Sequence, residues 1–204
     1  QKYHRSLLES GEYWRQSMTR FDAQGRVDAT LMSNLRIMRR TLINQISKRC
    51  DKSKKTITSV VHSLLSRSIF IKYLEERKDS NGETVFPQGF YSNFLESAKQ
   101  YTDVLNSKEA TYSLFRTLKE KFNGDTLQVS EVEIEIITQN DLDELRTFIL
   151  GDSELESKQL ALWPFYSFDI IPIQLISSIY ELFFHLSDED DEKGTYYTPL
   201  HLVN

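Results

Sequence analysis

The first regular pattern along the chain lies at residues 27–50, where apolar side chains recur every three or four positions. This spacing predicts an amphipathic α-helix with one buried face. The apolar stripe consists of Leu31, Leu35, Met38, Leu42 and Ile46. Arg36 and Arg40 then lie on the opposite side of the helix, and Arg39 lies on its flank. We therefore predict a helix that presents arginines away from the core.

Residues 56–78 are apolar at so many positions that the helix they predict must be covered on most sides. This helix is the expected spine of the core, and a basic segment at 48–55 connects it to the first helix. Asn140 is the predicted N-cap of another helix, which is expected to end at Gly151. Periodicity and end signals together predict four further helices, at 90–105, 108–122, 140–150 and 172–186.

The stretch at 127–137 gives two conflicting signals. Val132, Ile134 and Ile136 alternate with polar residues as in a strand, whereas Ser130 and Glu133 form a capping box that would start a helix. We expect an irregular or short-strand conformation and keep the helix as the alternative. The predicted fold class is mainly α, a multi-helix N-terminal domain with one short β element around 127–137.

Composition limits the class of protein. The chain has 204 residues, enough for one large domain or a domain with an appendage, and 39% of them are apolar. Its single cysteine, Cys50, excludes a disulfide framework and fits a reducing compartment, so we expect a cytoplasmic protein. No apolar run approaches the roughly 18 to 20 residues that span a bilayer, and we expect no membrane partner.

The sequence contains no self-contained catalytic constellation. Its seven glycines never fall two apart, which excludes a dinucleotide fingerprint and a P-loop. The four histidines lack the spacing of a helical zinc site, so no metal site is predicted. Glu-x-Lys pairs at 76–78 and 156–158 resemble the spacing used by metal-dependent nucleases, but they fall at a helix end and in a polar connector. We therefore predict no catalytic residue in this chain.

Charge is distributed unevenly. The formal net charge is −5, yet residues 13–60 contain eleven Lys and Arg residues against three Asp residues. Such a basic segment is typical of a surface that meets a polyanion, although a solvated helix face would have the same composition. The candidate contacts to DNA phosphates are Arg36, Arg39, Arg40, Lys48, Arg49, Lys52, Lys54 and Lys55.

Four segments resemble adenine-specific DNA methyltransferases and occur in the order expected for them. The last, Gly194-Thr-Tyr-Tyr-Thr-Pro199, is similar to the Gly-x-[Phe/Tyr]-[Phe/Tyr]-Thr-Pro element that opens their catalytic domain. Residues 168–184 resemble the helix that leads into that element, and residues 64–77 and 122–125 resemble an earlier helix and an FNGD turn. The chain is similar in this respect to large single-chain restriction–modification methylases of type IIG and to the modification subunits of type I systems.

The resemblance implies a cofactor and a partner. In this family the Gly-x-[Phe/Tyr]-[Phe/Tyr]-Thr-Pro element lies against the methionine end of S-adenosylmethionine. The implied cofactor-binding residues are Gly194, Thr195, Tyr196, Tyr197, Thr198 and Pro199. Double-stranded DNA is the implied partner, and a specificity subunit or target-recognition domain is a further candidate.

Two motifs that the family needs for methyl transfer are missing from the chain. One is the glycine-rich cofactor loop, and the other is Asn/Asp-Pro-Pro-Tyr/Phe, which holds the flipped adenine; the chain has no Pro-Pro pair. Because only five residues follow Pro199, we expect a fragment that neither transfers methyl groups nor binds S-adenosylmethionine alone.

We expect three parts: a basic helical segment at 1–55, a helical domain at 56–193, and, as the resemblance implies, the first residues of a truncated, Rossmann-like methyltransferase domain at 194–204. The alternative is a non-catalytic helical module for protein–protein assembly.

Overall fold

The computed structural model describes residues 23–79, 81–122 and 127–151, together with position 179. This part of the chain is mainly α-helical, as predicted. Its only β feature is an isolated antiparallel bridge between Lys78 and Thr84. The α-helices are α1 (Ala23–Arg49), α2 (Lys54–Glu76), α3 (Tyr101–Val104), α4 (Lys108–Phe122), α5 (Glu131–Ile136) and α6 (Gln139–Leu150), and a 3-10 turn covers Tyr91–Asn93.

The predicted first helix is confirmed as α1, and its apolar stripe faces the core as expected. All five predicted stripe residues are buried, and Ile43 on the adjoining flank is buried with them. The stripe packs against α2, which follows after a connector of only four residues, Cys50 to Ser53. This short connection places the two longest described helices side by side.

The predicted core helix is confirmed as α2. Ser53 caps its first turn, because the Ser53 hydroxyl accepts a hydrogen bond from the Thr56 backbone N–H at 3.1 Å. Thirteen of its 23 residues are buried, and they lie on most sides of the helix. Helices α1, α3 and α5 all pack against it. Helix α2 is therefore the spine of the described core, to which α1 also contributes; the proposed division at residue 55 stays a prediction.

The predicted helix at 90–105 is wrong. The chain forms the 3-10 turn, then irregular backbone, and only then α3. Local side chains compete for backbone groups here: the Asn93 amide donates to the Phe90 carbonyl at 2.9 Å, and the Asp103 carboxylate accepts from the backbone N–H groups of Lys99 and Gln100. Asp103 thereby starts a new, short helix instead of continuing an old one.

The predicted short strand at 127–137 is also wrong, because the capping residues start a helix there. The Ser130 hydroxyl accepts a hydrogen bond from the Glu133 backbone N–H at 3.1 Å, and α5 begins at the next residue. Helical geometry turns the Glu133 side chain into the core and leaves Val132 exposed. The alternating apolar pattern therefore misidentified this segment.

Helix α6 has the predicted extent but a different cap. Thr138, not Asn140, is the N-cap, and it forms a capping box with Asp141. The helix ends at Gly151, whose φ of 79° is the left-handed conformation expected of a C-cap glycine. Of the predicted helix at 172–186, only Ile179 is described; it is helical and buried. The rest lies outside the described residues.

Candidate nucleic-acid interface

Helix α1 exposes a row of cations on the side opposite its apolar stripe. Arg40 is exposed, and Arg36, one turn earlier on the same face, is half-buried. Lys48, in the last turn of the helix, is also exposed. With a rise of about 1.5 Å per residue, the distance along the helix from Arg36 to Lys48 is roughly 18 Å. The row is thus long enough to follow several phosphates of a nucleic-acid strand.

The start of α2, which follows α1 after four connector residues, has two more exposed cations. Lys54 and Lys55 are exposed in its first turn, which contains no acidic residue. Cations at a helix N-terminus are repelled by the positive end of the helix dipole, so this arrangement lowers the stability of the helix. The same concentration of positive charge attracts anions. We use the name basic surface for Arg36, Arg40, Lys48, Lys54 and Lys55.

Arg39 does not belong to this surface. Only 2% of it is exposed, and its Nε donates a hydrogen bond to Nε2 of His62 on α2 at 2.6 Å. The helix periodicity places Arg39 on the flank of the apolar stripe, and packing of α2 covers that flank. Arg39 therefore joins α1 to α2 inside the protein.

Arg49, another predicted DNA contact, is used to join three helices. Its guanidinium pairs with the Asp141 carboxylate at the start of α6 and donates to the Ile136 carbonyl, at 3.2 Å, at the end of α5. The Asp141 side chain is only 1% exposed, whereas that of Arg49 is 33% exposed, so the carboxylate is buried and the guanidinium is partly open to water. The end of α1 is thereby fixed to the junction of α5 and α6.

Lys52 is intermediate between the exposed cations of the basic surface and the arginines that join helices, Arg39 and Arg49. Its ammonium lies 3.1 Å and 3.3 Å from the two carboxylate oxygens of Glu135 on α5. Both side chains are exposed, Lys52 to 38% and Glu135 to 64%. Lys52 is therefore paired, but in water and on the outer edge of the connector.

A buried ion pair that the sequence analysis did not predict lies deeper in the molecule. The guanidinium of Arg67, which is completely buried, donates to both carboxylate oxygens of Glu133, at 2.7 and 3.2 Å, and to the Gln128 carbonyl at 2.7 Å. It also lies over the ring of Phe115, 4.6 Å from its centroid. One arginine thus joins α2 to α4 and α5.

Two buried tyrosines lie in the same region. Burial raises the pKa of the Tyr101 phenol above its usual range, although a hydrogen bond with Ser68 opposes part of that effect. Burial also raises the pKa of Tyr112, and the negative charge of Glu133 adds to it. Both phenols therefore stay neutral at neutral pH and act as packing groups, and the Tyr101 hydroxyl also shares a hydrogen bond with Ser68 at 2.8 Å.

An open groove of about 750 Å³ lies where α1 meets the start of α6. Arg49, Asp141, Asp143 and Glu144 are its charged lining residues. Its carboxylates outnumber its one cation, so it does not suit a phosphate. The groove is therefore separate in chemistry from the basic surface.

The first Glu-x-Lys pair does not form a metal site in the described ranges. Glu76 of the first Glu-x-Lys pair forms an ion pair with Lys72 at 2.9 Å. The pair at 156–158 and the proposed cofactor residues 194–199 lie outside the described residues. Between residues 23 and 151, the described positions contain no group of three or more His, Cys, Asp or Glu side chains that could hold a metal ion.

Comparison with known proteins does not identify a relative. No protein-family model, curated protein or solved structure matches the chain. Across the described helices, none is both long enough and apolar enough to cross a membrane.

Proposed function

We propose that this chain is the N-terminal helical region of an adenine-specific DNA methyltransferase from a restriction–modification or phage-defence system. In this role it holds the DNA backbone and supports the catalytic domain. The observation that carries the DNA-binding part is the basic surface, with Arg40, Lys48, Lys54 and Lys55 exposed and Arg36 beside them. The four sequence segments that resemble methylases narrow the proposal from DNA-binding proteins in general to adenine-specific DNA methyltransferases.

The chemistry of the basic surface suits phosphate rather than base edges. Arginine and lysine side chains neutralise phosphates and release condensed counterions, which gives affinity that depends strongly on salt and little on sequence. A methylase that extrudes a base needs such contacts, because they hold the duplex while one nucleotide leaves the stack. Sequence recognition is then assigned to a specificity subunit or target-recognition domain.

In this proposal S-adenosylmethionine binds the methyltransferase as a whole and not the 204-residue chain alone. Residues 194–199 would contact the methionine end of the cofactor, and the bound cofactor would supply the methyl group. The chain has no Pro-Pro pair and so lacks the motif that holds the flipped adenine. We therefore expect no methyl transfer to DNA by the 204-residue chain alone, and methylated adenine in its product would contradict that assignment. A cytoplasmic location is part of the same proposal.

Duplex binding as a function of salt tests the proposed DNA contact. Fluorescence anisotropy with a labelled duplex between about 50 and 200 mM salt gives the slope of log K against log salt, about −0.9 for each phosphate neutralised. The Arg36→Gln/Arg40→Gln variant should weaken binding and reduce the magnitude of that slope by about 1.8. Both substitutions retain a good helix former, so the helix should remain intact.

A matched control removes two exposed cations elsewhere. Lys78 and Arg116 are exposed and lie outside α1 and α2, so Lys78→Gln/Arg116→Gln changes the net charge by the same amount. It should leave the slope close to that of the unaltered chain. Equal losses in both double variants would indicate a general charge effect. Absence of duplex binding at 50 mM salt would refute the DNA contact and favour the protein–protein assembly module.

A further inference from the structure

We propose that Glu135 controls how many cations reach the DNA, because it holds Lys52 in an ion pair that a duplex can displace. This inference rests on the proposed DNA binding and deepens it. Lys52 lies in the connector between Lys48, at the end of α1, and Lys54, at the start of α2. Once released, its ammonium extends the basic surface by one phosphate contact.

The exposure of the carboxylate partner makes the pair displaceable. The Lys52 ammonium meets both Glu135 oxygens, at 3.1 and 3.3 Å, and the Glu135 side chain is 64% exposed while that of Lys52 is 38% exposed. Exposed pairs of this kind contribute little, because water and salt screen them and two long side chains lose freedom. A phosphate with its dense field of neighbouring charges can therefore replace the Glu135 carboxylate.

The neighbouring pair of Arg49 with Asp141 does not have this property. Asp141 is buried and also accepts hydrogen bonds from the Thr138 backbone N–H at 2.7 Å and hydroxyl at 2.8 Å. Removing Arg49 would leave a carboxylate without its cation in a shielded position, which is unfavourable. Two cations that are close in sequence therefore have different roles: Arg49 is fixed, and Lys52 is exchangeable.

Helix α5 also provides the matched control. Glu131 lies one turn before Glu135 and is exposed, whereas Glu133 points inward to Arg67. Glu131→Gln and Glu135→Gln remove the same charge from the same helix. Only the second removes the partner of Lys52. Any difference between the two variants therefore reports the pair and not the general field of the helix.

The test measures duplex affinity at about 50 mM salt for the 204-residue chain, the two single variants, Lys52→Gln, and Lys52→Gln/Glu135→Gln. Glu135→Gln should tighten binding by up to about fivefold, the range that exposed pairs cover. In the Lys52→Gln background the same substitution should change affinity by less than about twofold. Glu131→Gln should stay within about twofold of the unaltered chain.

The outcomes separate this inference from the proposed function. If the chain binds through Arg36 and Arg40 but Glu135→Gln has no effect, the control by Glu135 is wrong and the DNA contact stands. An equal gain in Glu131→Gln, or in the Lys52→Gln background, also overturns the control, because the gain then does not depend on the pair. If neither the unaltered chain nor Glu135→Gln binds, both proposals are wrong.

Discussion

Arg67 in α2 and Arg40 in α1 lie on neighbouring helices and have opposite surroundings. Arg67 is enclosed by Glu133, the Gln128 carbonyl and the ring of Phe115. Arg40 is exposed to water. The first guanidinium connects helices, and the second is accessible to a ligand. The comparison shows that arginine content predicts a nucleic-acid surface only after the arginines used inside the protein are identified.

The largest expected effect comes from breaking the buried pair. Arg67→Met should lower the free energy of unfolding by about 3–5 kcal/mol, because it leaves the Glu133 carboxylate buried without its cation. Arg40→Met should change it by less than about 0.5 kcal/mol, since that side chain is exposed. Urea unfolding followed by circular dichroism measures both values.

A compensating variant tests the reason for that loss. Arg67→Met/Glu133→Leu removes both charges and should recover most of the stability, because an apolar pair of similar volume can replace a buried ion pair. If the double variant is as unstable as Arg67→Met, packing over Phe115 and not the uncompensated charge explains the loss. Similar effects of Arg67→Met and Arg40→Met would contradict the comparison itself.

The second effect concerns the cap of α6. Asp141→Asn should destabilise the chain by about 2 kcal/mol, because the Asp141 carboxylate both closes the capping box with Thr138 and pairs with Arg49. Asp143→Asn is the control: Asp143 is exposed, and its carboxylate accepts an exposed hydrogen bond from Gln139. It should cost less than about 0.5 kcal/mol, measured by the same urea titration.

The buried region should also respond to alkaline pH. Burial raises the pKa of Tyr101, so above pH 10 the folded chain keeps a proton that the unfolded chain releases. The free energy of unfolding that depends on this proton is fully present below pH 10. It falls as the pH rises above 10, by up to about 1.4 kcal/mol per pH unit. Tyr101→Phe should make the decline in stability shallower by that amount.

The corresponding measurement is urea unfolding at several pH values from 9 upward, with Tyr112→Phe beside Tyr101→Phe. The pKa of Tyr112 is raised by burial as well, so its substitution should flatten the same part of the curve. An alkaline decline that is unchanged in both variants would show that these phenols are not protected in the folded chain. Substitutions in the basic surface should leave this alkaline decline unchanged, because they remove no tyrosine.

The two long helices could be predicted because their signals are local and repeated. Five stripe residues fix the buried face of α1, and the density of apolar residues identifies α2 as the core helix. The exposed positions of Arg40 and Lys48 follow from the same periodicity. Most of the basic surface was therefore available from sequence.

The remainder depends on partners far along the chain. Arg67 and Glu133 are 66 residues apart, and Arg49 and Asp141 are 92 apart, so no local pattern reveals that these charges meet. The Ser130 and Glu133 capping box was the one available signal for α5, and it competed with an alternating apolar pattern. At 90–105, the Asn93 amide donates to the Phe90 carbonyl and the Asp103 carboxylate accepts from the Lys99 backbone N–H, and these local hydrogen bonds overrode helical periodicity.

The smallest stability effect is expected for the exposed pair of Lys52 and Glu135. Glu135→Gln and Lys52→Gln should each change the free energy of unfolding by less than about 1 kcal/mol, because the pair is open to water on both sides, with Lys52 38% and Glu135 64% exposed. Raising the salt concentration in the urea titration should reduce even that difference. A loss comparable to that of Arg67→Met would mean that Lys52 connects helices as Arg67 does, and it would then be unable to exchange Glu135 for a phosphate.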